Sequence, residues 1–372
     1  MKVGIVTDRE QWNQFLMSQP EGHLLQSYQW GELIEQQGGR IYRLGVLEDE
    51  QLTGAMMLIV ADVPLPVRLP GRRPCWLYCS RGPSVAGGPQ SPALKALVEE
   101  AHKIAKEEHA VVLRLEPNIT EDDPKKDEWL QAFGALSFQT NPMAIHGRRS
   151  WTLDLRPDMD TIFSNFRKRY CQYIRVAERR GVTVREAESD ADFDAYYELL
   201  QSTSKRDGFF IHNKAHHKEM FRLYAENGDV VVLMAELEGE LIAAKMLIRF
   251  GPWCYEMFGA TSDKDHGFPK AHLVQYRCLQ WAREKGCVYY DFRIIPEILE
   301  PGEEMWGIYQ FKKGFGGFSR LHLPTQDYVY QRPVYALWRW IAQTRRNIRR
   351  ARLKKKYEQG KSRAKSSAGS KE

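Results

Sequence analysis

An internal duplication constrains the fold of this chain more than any other feature. Gly45–Ile59, GVLEDEQLTGAMMLI, reads like Met234–Ile248, MAELEGELIAAKMLI. At a shift of 189 residues Leu52, Ala55, Met57, Leu58 and Ile59 meet Leu241, Ala244, Met246, Leu247 and Ile248 as identities. Each segment is two β-rich runs around a polar turn, Glu48–Gln51 or Glu238–Glu240, which predicts a hairpin. The surroundings repeat as well. Predicted helices Arg9–Met17 and Tyr28–Gln37 precede the first hairpin, and Asp190–Ser202 and Lys214–Ala225 precede the second. Helix Ala93–Glu107 then leads to strand Val111–Glu116, and helix Ala271–Lys285 to strand Val288–Arg293.

Helices, a hairpin, a helix and a strand, twice over, predict an α+β fold of two tandem acetyltransferase-like (GNAT) domains joined near 147–151, with His146–Ser150 as the hinge. The length agrees, since 372 residues exceed the roughly 250–300 over which a single core grows. The apolar runs, such as Ala55–Val60 and Val230–Met234, fall far short of the ~20 residues that span a bilayer. Charged residues come too early in MKVGIVTDREQW for a signal-peptide core, so a cytoplasmic location is expected. The six cysteines form no C-x-x-C pair and read as buried, reduced thiols.

The formal charge of +6 is unevenly placed. From Arg332 onward 14 Lys and Arg face two Glu, so that end carries +12 and residues 1–331 carry −6. Between Pro333 and Lys356, Val334, Leu337, Trp338, Ile341 and Ile348 recur at helical spacing among Arg339, Arg345, Arg346, Arg349 and Arg350. This predicts a basic amphipathic helix, suited to an anionic membrane surface or to RNA phosphates. The plainer alternative is a helix docked on the body with a solvated basic face. After Gly360 the composition is that of a disordered tail. A second basic stretch, Phe163–Glu186, holds Phe166, Tyr170, Ile174 and Ala177 on one face and predicts a helix ending at Gly181, with either a solvated face or a surface for a polyanion around it.

A GNAT-like fold raises the question of acetyl-CoA. Its pyrophosphate needs free backbone amides in a Gly-rich turn opening a helix. The corresponding turns, Ala86–Pro92 and Asp265–Lys270, are crowded by prolines that lack the N–H, which argues against CoA. His212, His216 and His217 give H-x-x-x-H-H without the glutamate of a metalloprotease, so no metal site is expected. There is no G-x-S-x-G elbow and no Walker sequence. Ile308–Phe318, IYQFKKGFGGF, is the densest signal: aromatics, paired lysines and three glycines can set an ammonium beside an acyl centre, and a surface hairpin explains the segment equally well.

LLQSYQWGEL (24–33), FRKRYCQYIRVAERRGV (166–182), TSKRDGF (203–209), MFGATS (257–262), HLVQYRCLQWAREKGCVYYDF (272–292) and YQFKKGFGG (309–317) together resemble the FemABX family, in order from about residue 5 to 340. Those proteins are tRNA-dependent aminoacyltransferases that build peptidoglycan interpeptide bridges. The resemblance implies a first GNAT-like domain over 1–147 with 318–345 packing back on it, a second over 148–317, and a basic tail over 346–372. There is no room between Val182 and Gly259 for the long helical hairpin of some members. It implies aminoacyl-tRNA as co-substrate with no other cofactor. The acceptor is the side-chain amine of a stem peptide, carried on lipid II or on a UDP-linked pentapeptide.

Phe311 and Lys312 match the family's Phe-Lys pair at the transfer site. Lys312 would stabilise the oxyanion or hold the tRNA terminus. The same motifs offer Tyr28, Trp30, Arg206, Asp207, His212, Glu256, Phe258, Asp291, Lys313 and Phe315 as substrate-binding residues. The chain departs from members that use the nucleotide precursor. Ile34 stands where a lysine follows the Trp30 motif, His212 where an arginine is usual, and Glu256 and Phe258 where a tyrosine pair is usual. These groups contact the precursor diphosphate, so their loss favours lipid II. Ile294–Pro296 also replaces a usual glycine. Peripheral contact with the inner face of the membrane then becomes an expectation for the basic tail. The rival readings are aminoacyl transfer to another membrane amphiphile such as a phospholipid, an acyl-CoA N-acyltransferase, and a non-catalytic tRNA- or membrane-binding module.

Overall fold

Both halves are built from the same succession of elements, seen here in a computed structural model that describes residues 1–63, 74–348 and 351. The first half runs β1 (Lys2–Ile5), α1 (Arg9–Ser18), α2 (Tyr28–Gln36), β2 (Arg40–Glu48), β3 (Gln51–Asp62), β4 (Cys75–Ser80), β5 (Ser84–Val85), α3 (Pro92–Glu107), β6 (Ala110–Glu116), α4 (Lys126–Ala135) and β7 (Gln139–Asn141). The second runs β8 (Arg149–Asp154), α5 (Met159–Ser164), α6 (Lys168–Arg179), β9 (Thr183–Glu186), α7 (Asp190–Asp207), α8 (Lys214–Ala225), β10 (Val230–Leu237), β11 (Glu240–Phe250), β12 (Trp253–Thr261), α9 (Ala271–Glu284), β13 (Tyr289–Ile294), α10 (Trp306–Lys313), β14 (Phe318–Leu321) and β15 (Thr325–Val329). A C-terminal helix follows from 332 to 348. Most of the expected tail, 346–372, lies outside the described residues.

The repeat holds down to single residues. β2–β3 and β10–β11 are hairpins closed by two-residue turns, with Asp49 and Glu50 in one and Glu238 and Gly239 in the other all at positive φ. That geometry matches the twist of the flanking strands. Each hairpin carries a register shift, after Val46 and after Ala235, again 189 residues apart. The sheets also share an order: β2-β3-β4-β6 in one and β10-β11-β12-β13 in the other, with β4–β6 and β12–β13 as the parallel pairs.

The two halves share one core. Trp12, Leu33, Ala55 and Met57 of the first pack in one cluster with Phe193, Tyr196, Tyr224 and Met246 of the second. The Ser27 hydroxyl meets the Tyr224 hydroxyl at 2.7 Å inside it. Helices α3 and α4 cover the far face of the first sheet, and α5, α6, α9 and α10 that of the second. The predicted helix over the basic stretch is broken at 165–167 into α5 and α6, and it ends at Gly181 with φ 81°.

The chain end then returns. β14 stays with the second sheet on β8, and only from β15 does the chain enter the first sheet, between β6 and β7. The return expected from residue 318 begins at Leu321, whose carbonyl accepts the Glu121 N–H at 2.7 Å, and Leu323 already sits in the core of the first half. Nor is 146–150 a free hinge. Arg148 bonds Glu121, Glu297 and the His322 carbonyl at 2.8–3.1 Å, and its own carbonyl accepts the His322 N–H at 2.7 Å.

One buried ion pair holds β15 in place. Arg114 Nε and NH2 donate to the two Asp327 oxygens at 2.7 and 2.6 Å, and both side chains are almost wholly buried. Asn141 and the Tyr335 hydroxyl donate to the same carboxylate at 2.7 and 2.6 Å. The guanidinium also lies over Trp338, 4.7 Å from the ring centroid. Removing the acid strands a buried cation. Asp327→Ala is therefore expected to cost about 3–5 kcal/mol in chemical denaturation, with the transition moving to lower denaturant.

Candidate functional site

The motif IYQFKKGFGGF folds as a helix, a turn and a strand rather than a surface hairpin. Tyr309 and Lys312, three apart, form the buried face of α10, and Lys313 points to solvent with its ammonium 5.6 Å from the Tyr309 ring centroid. The helix ends at Gly314 because α6 meets it there. A Cβ on Gly314 would lie 2.0 Å from the Tyr170 ring. The Gly314 carbonyl accepts the Arg167 N–H at 2.9 Å, and the Tyr170 hydroxyl donates to the Gln310 carbonyl at 3.3 Å.

Lys312 is 7% exposed, and its Nζ donates to the Ile294 carbonyl at the end of β13, 2.8 Å away. Burial pulls the amine down to about 8, against the attraction of Glu256 and Asp291 and aided by Lys245 and Arg293. Beside it lies a buried polar chain. Lys245 Nζ donates to Glu256 Oε1 at 2.5 Å, Glu256 Oε2 accepts the Tyr290 hydroxyl at 2.8 Å, and Gln275 donates to that hydroxyl at 3.0 Å. Burial opposes the charge on Glu256, but Lys245, Lys312 and the hydrogen bonds outweigh it and hold the carboxyl below its ordinary value. Rings wall the site: Phe311 lies 5.2 Å from His272 and 5.1 Å from Phe315, and Lys245 Nζ sits 5.6 Å from the Phe311 centroid. Burial lowers His272 to about 4, so it enters as a neutral ring.

An ammonium has three donors, and one of the Lys312 N–H groups is used on Ile294. The others can meet negative charge that develops on an acyl oxygen, in a setting dry enough for the interaction to count.

Asp291 lines a second feature. A small polar cavity of about 10 Å³ between the halves is bounded by His23, Arg81, Ser150, Asp291, Arg293 and His322 among others. Its size admits a single water-sized group. The Asp291 carboxylate accepts the Arg293 N–H at 2.6 Å, and Arg293, at φ 68°, lines the same cavity. A larger groove of about 310 Å³ opens beside the C-terminal helix, lined by Met143, Ile145, Arg148, Glu297, Trp338 and Ala342 with others.

The remaining sequence candidates do not join Lys312. Arg206 and Asp207 are exposed at the end of α7, paired with each other at 2.9 Å, and Arg206 also donates to the Thr261 carbonyl and hydroxyl. His212 is exposed and stacks on His216 at 4.0 Å. Tyr28 lies under the Arg43 guanidinium, and Trp30 packs at the edge of the shared core. Phe315, by contrast, is fully buried and stays with the site as part of its ring wall, its N–H donating to the Lys312 carbonyl at 3.1 Å.

Glu256 and Phe258 were paired in the sequence reading, and the fold separates them. The β11–β12 register slips so that Leu247 faces Glu256 and Met246 faces Phe258, leaving Met257 as the extra residue. The bulge sends Glu256 to the Lys245 side and Phe258 to the opposite face, 4.4 Å from the His217 ring. Lys245, Tyr290 and Gln275 were missed. Lys245 had a signal, a lone cation inside the apolar run IAAKMLI. Among the described residues no three of His, Cys, Asp or Glu meet in a way that would hold a metal ion.

The FemAB family profile matches residues 7–240 and 238–343. The chain belongs to the FemAB family. Lipid II:glycine glycyltransferase of Staphylococcus aureus strain MRSA252 is 24% identical over 423 aligned positions, covering 94% of this chain and 97% of that protein. The alignment is longer than the 372-residue chain, so that relative has residues with no counterpart here. Among solved structures, FemX superposes with a TM-score of 0.81 at 23% identity, covering 91% of this chain and 99% of that one. A tandem GNAT protein from the clavulanic acid biosynthesis pathway gives 0.53 at 13% identity, covering 88% and 98%. These likenesses carry the tandem GNAT-like fold.

The site predicts its own trade-off. The Lys312 amine has an ordinary value of 10.5 and about 8 in the folded chain, so between those values the unfolded chain binds more protons and stability rises with pH. Lys312→Met is expected to raise stability by about 1–3 kcal/mol at neutral pH while transfer falls. Thermal unfolding across pH checks it: the variant loses the stability rise between 8 and 10.5.

Proposed function

We propose that this FemAB-family chain transfers an amino acid from aminoacyl-tRNA to the side-chain amine of a peptidoglycan stem peptide, with lipid II as acceptor in preference to a UDP-linked pentapeptide. The observation that carries the reading is the Lys312 ammonium, buried near Glu256 and Asp291 with N–H groups left over after its bond to Ile294. The acceptor amine attacks the ester carbonyl, the C–N bond forms, the bond between the acyl carbon and the ribose oxygen breaks, and the amine's proton ends on the ribose oxygen. Lys312 faces the oxyanion between those steps. The ester is already activated, so holding amine and ester together supplies much of the acceleration.

Two points support lipid II. Relatives along nearly the whole chain are named lipid II:glycine glycyltransferases. Glu256, at a position where the family resemblance implies a diphosphate contact, is committed to Lys245 and Tyr290 and adds negative charge there. The donated amino acid has no readable selector among these residues.

The test offers a full aminoacyl-tRNA pool to the purified chain with lipid II, with the UDP-linked pentapeptide and with phosphatidylglycerol, reading product masses. One residue-mass increment on lipid II is expected, reduced by about 10²–10³ in Lys312→Met, as when an oxyanion donor is lost. An increment on phosphatidylglycerol alone would overturn the acceptor, and an undiminished Lys312→Met rate would overturn the site.

A further inference from the structure

The C-terminal helix has two faces, and only one is satisfied. Tyr335, Trp338 and Ala342, at spacings of three and four, turn inward, with Tyr335 and Trp338 buried against the first sheet. Leu337, Trp340, Thr344 and Ile348 repeat the spacing on the outside. There Leu337 is 48% exposed, Trp340 67% and Ile348 49%. Between these faces Arg332, Arg339, Arg345 and Arg346 are exposed, and none has a carboxylate partner among the described residues. The 332–348 stretch contains no acid at all.

We propose that this outer face is a docking surface for an anionic lipid bilayer, with the helix lying in the plane of the interface. An apolar stripe with a tryptophan, flanked by arginines and no acids, is the pattern of an interfacial helix. Charge complementarity selects the occupant. Residues from Arg332 onward carry +12 and the rest −6, so an anionic surface attracts this end and repels the body, which fixes orientation as well as affinity. A second copy seated on the same face would bring two such ends together. An RNA backbone would engage the arginines and leave Leu337 and Ile348 without an apolar partner.

The placement serves the site. Glu297 lines the 310 Å³ groove beside this helix, and three residues earlier the Ile294 carbonyl takes the Lys312 hydrogen bond. The docking surface does not depend on the acceptor proposed above, because it is read without substrate.

The experiment compares the full chain with a Leu337→Ser, Trp340→Ser, Ile348→Ser variant in flotation with vesicles of phosphatidylglycerol and phosphatidylcholine, and with phosphatidylcholine alone. Circular dichroism checks that the helix survives, since its buried face is untouched, and binding of uncharged tRNA is measured in parallel. The expected result is binding to the anionic vesicles, weakened at least tenfold in the variant, with tRNA binding unchanged. Equal vesicle binding by both proteins overturns the proposal, as does no vesicle binding by the parent. Loss of tRNA binding with vesicle binding intact overturns it too, and assigns the face to RNA.

Discussion

The Arg114–Asp327 pair is the contact on which the arrangement of the rest depends. It is buried on both sides, bidentate, and backed by Asn141 and Tyr335. Such a pair adds little net stability over apolar packing, but an imperfect alternative leaves charge stranded, so it specifies one register for β15. β15 follows β14, which is fixed on β8 of the other sheet. The two strands sew the sheets together, and α10 with Lys312 lies just before them. The C-terminal helix hangs from the same pair through Tyr335 and Trp338.

The electrostatics of the candidate site follow from burying Lys245 and Lys312 beside a carboxylate, Glu256, that Lys245 alone of the two touches. Glu256 serves Lys245 directly and Lys312 through space, and Tyr290 completes its coordination. A lysine whose charge is only partly compensated is poised to respond to a new negative centre. That poise is a cost to folding that the packed rings around Phe311 and Phe315 offset. The site is thus held by rigid parts: a β-strand end, a helix end and an aromatic wall.

Much of the frame was legible because hairpins announce themselves locally. The repeat, the turns at 48–51 and 238–240, and the flanking helices rest on patterns a few residues long. The candidate site was approached through its motif, in Phe311 and Lys312, and less through chemistry. Nothing local marks the bulge at Met257, since the extra residue is defined by β11, and so the sequence does not show that Glu256 and Phe258 lie on opposite faces. IYQFKKGFGGF is ambiguous between helix and hairpin until Tyr170 arrives to cap its end. Which sheet receives residues 318–321 depends on β8, more than 160 residues away in the chain.

The way the first sheet is completed has a consequence for how the protein is made. β6 keeps an open edge until β15 pairs with it, and their ion pair joins residues 213 apart in sequence. During synthesis the N-terminal half therefore waits, with a strand edge and the buried side of Arg114 exposed, while the whole second half is translated. The second half has no such debt to β15, and its sheet can close first. Lys312 would then be housed before the half that was synthesised earliest is finished, and assembly would run against the order of translation.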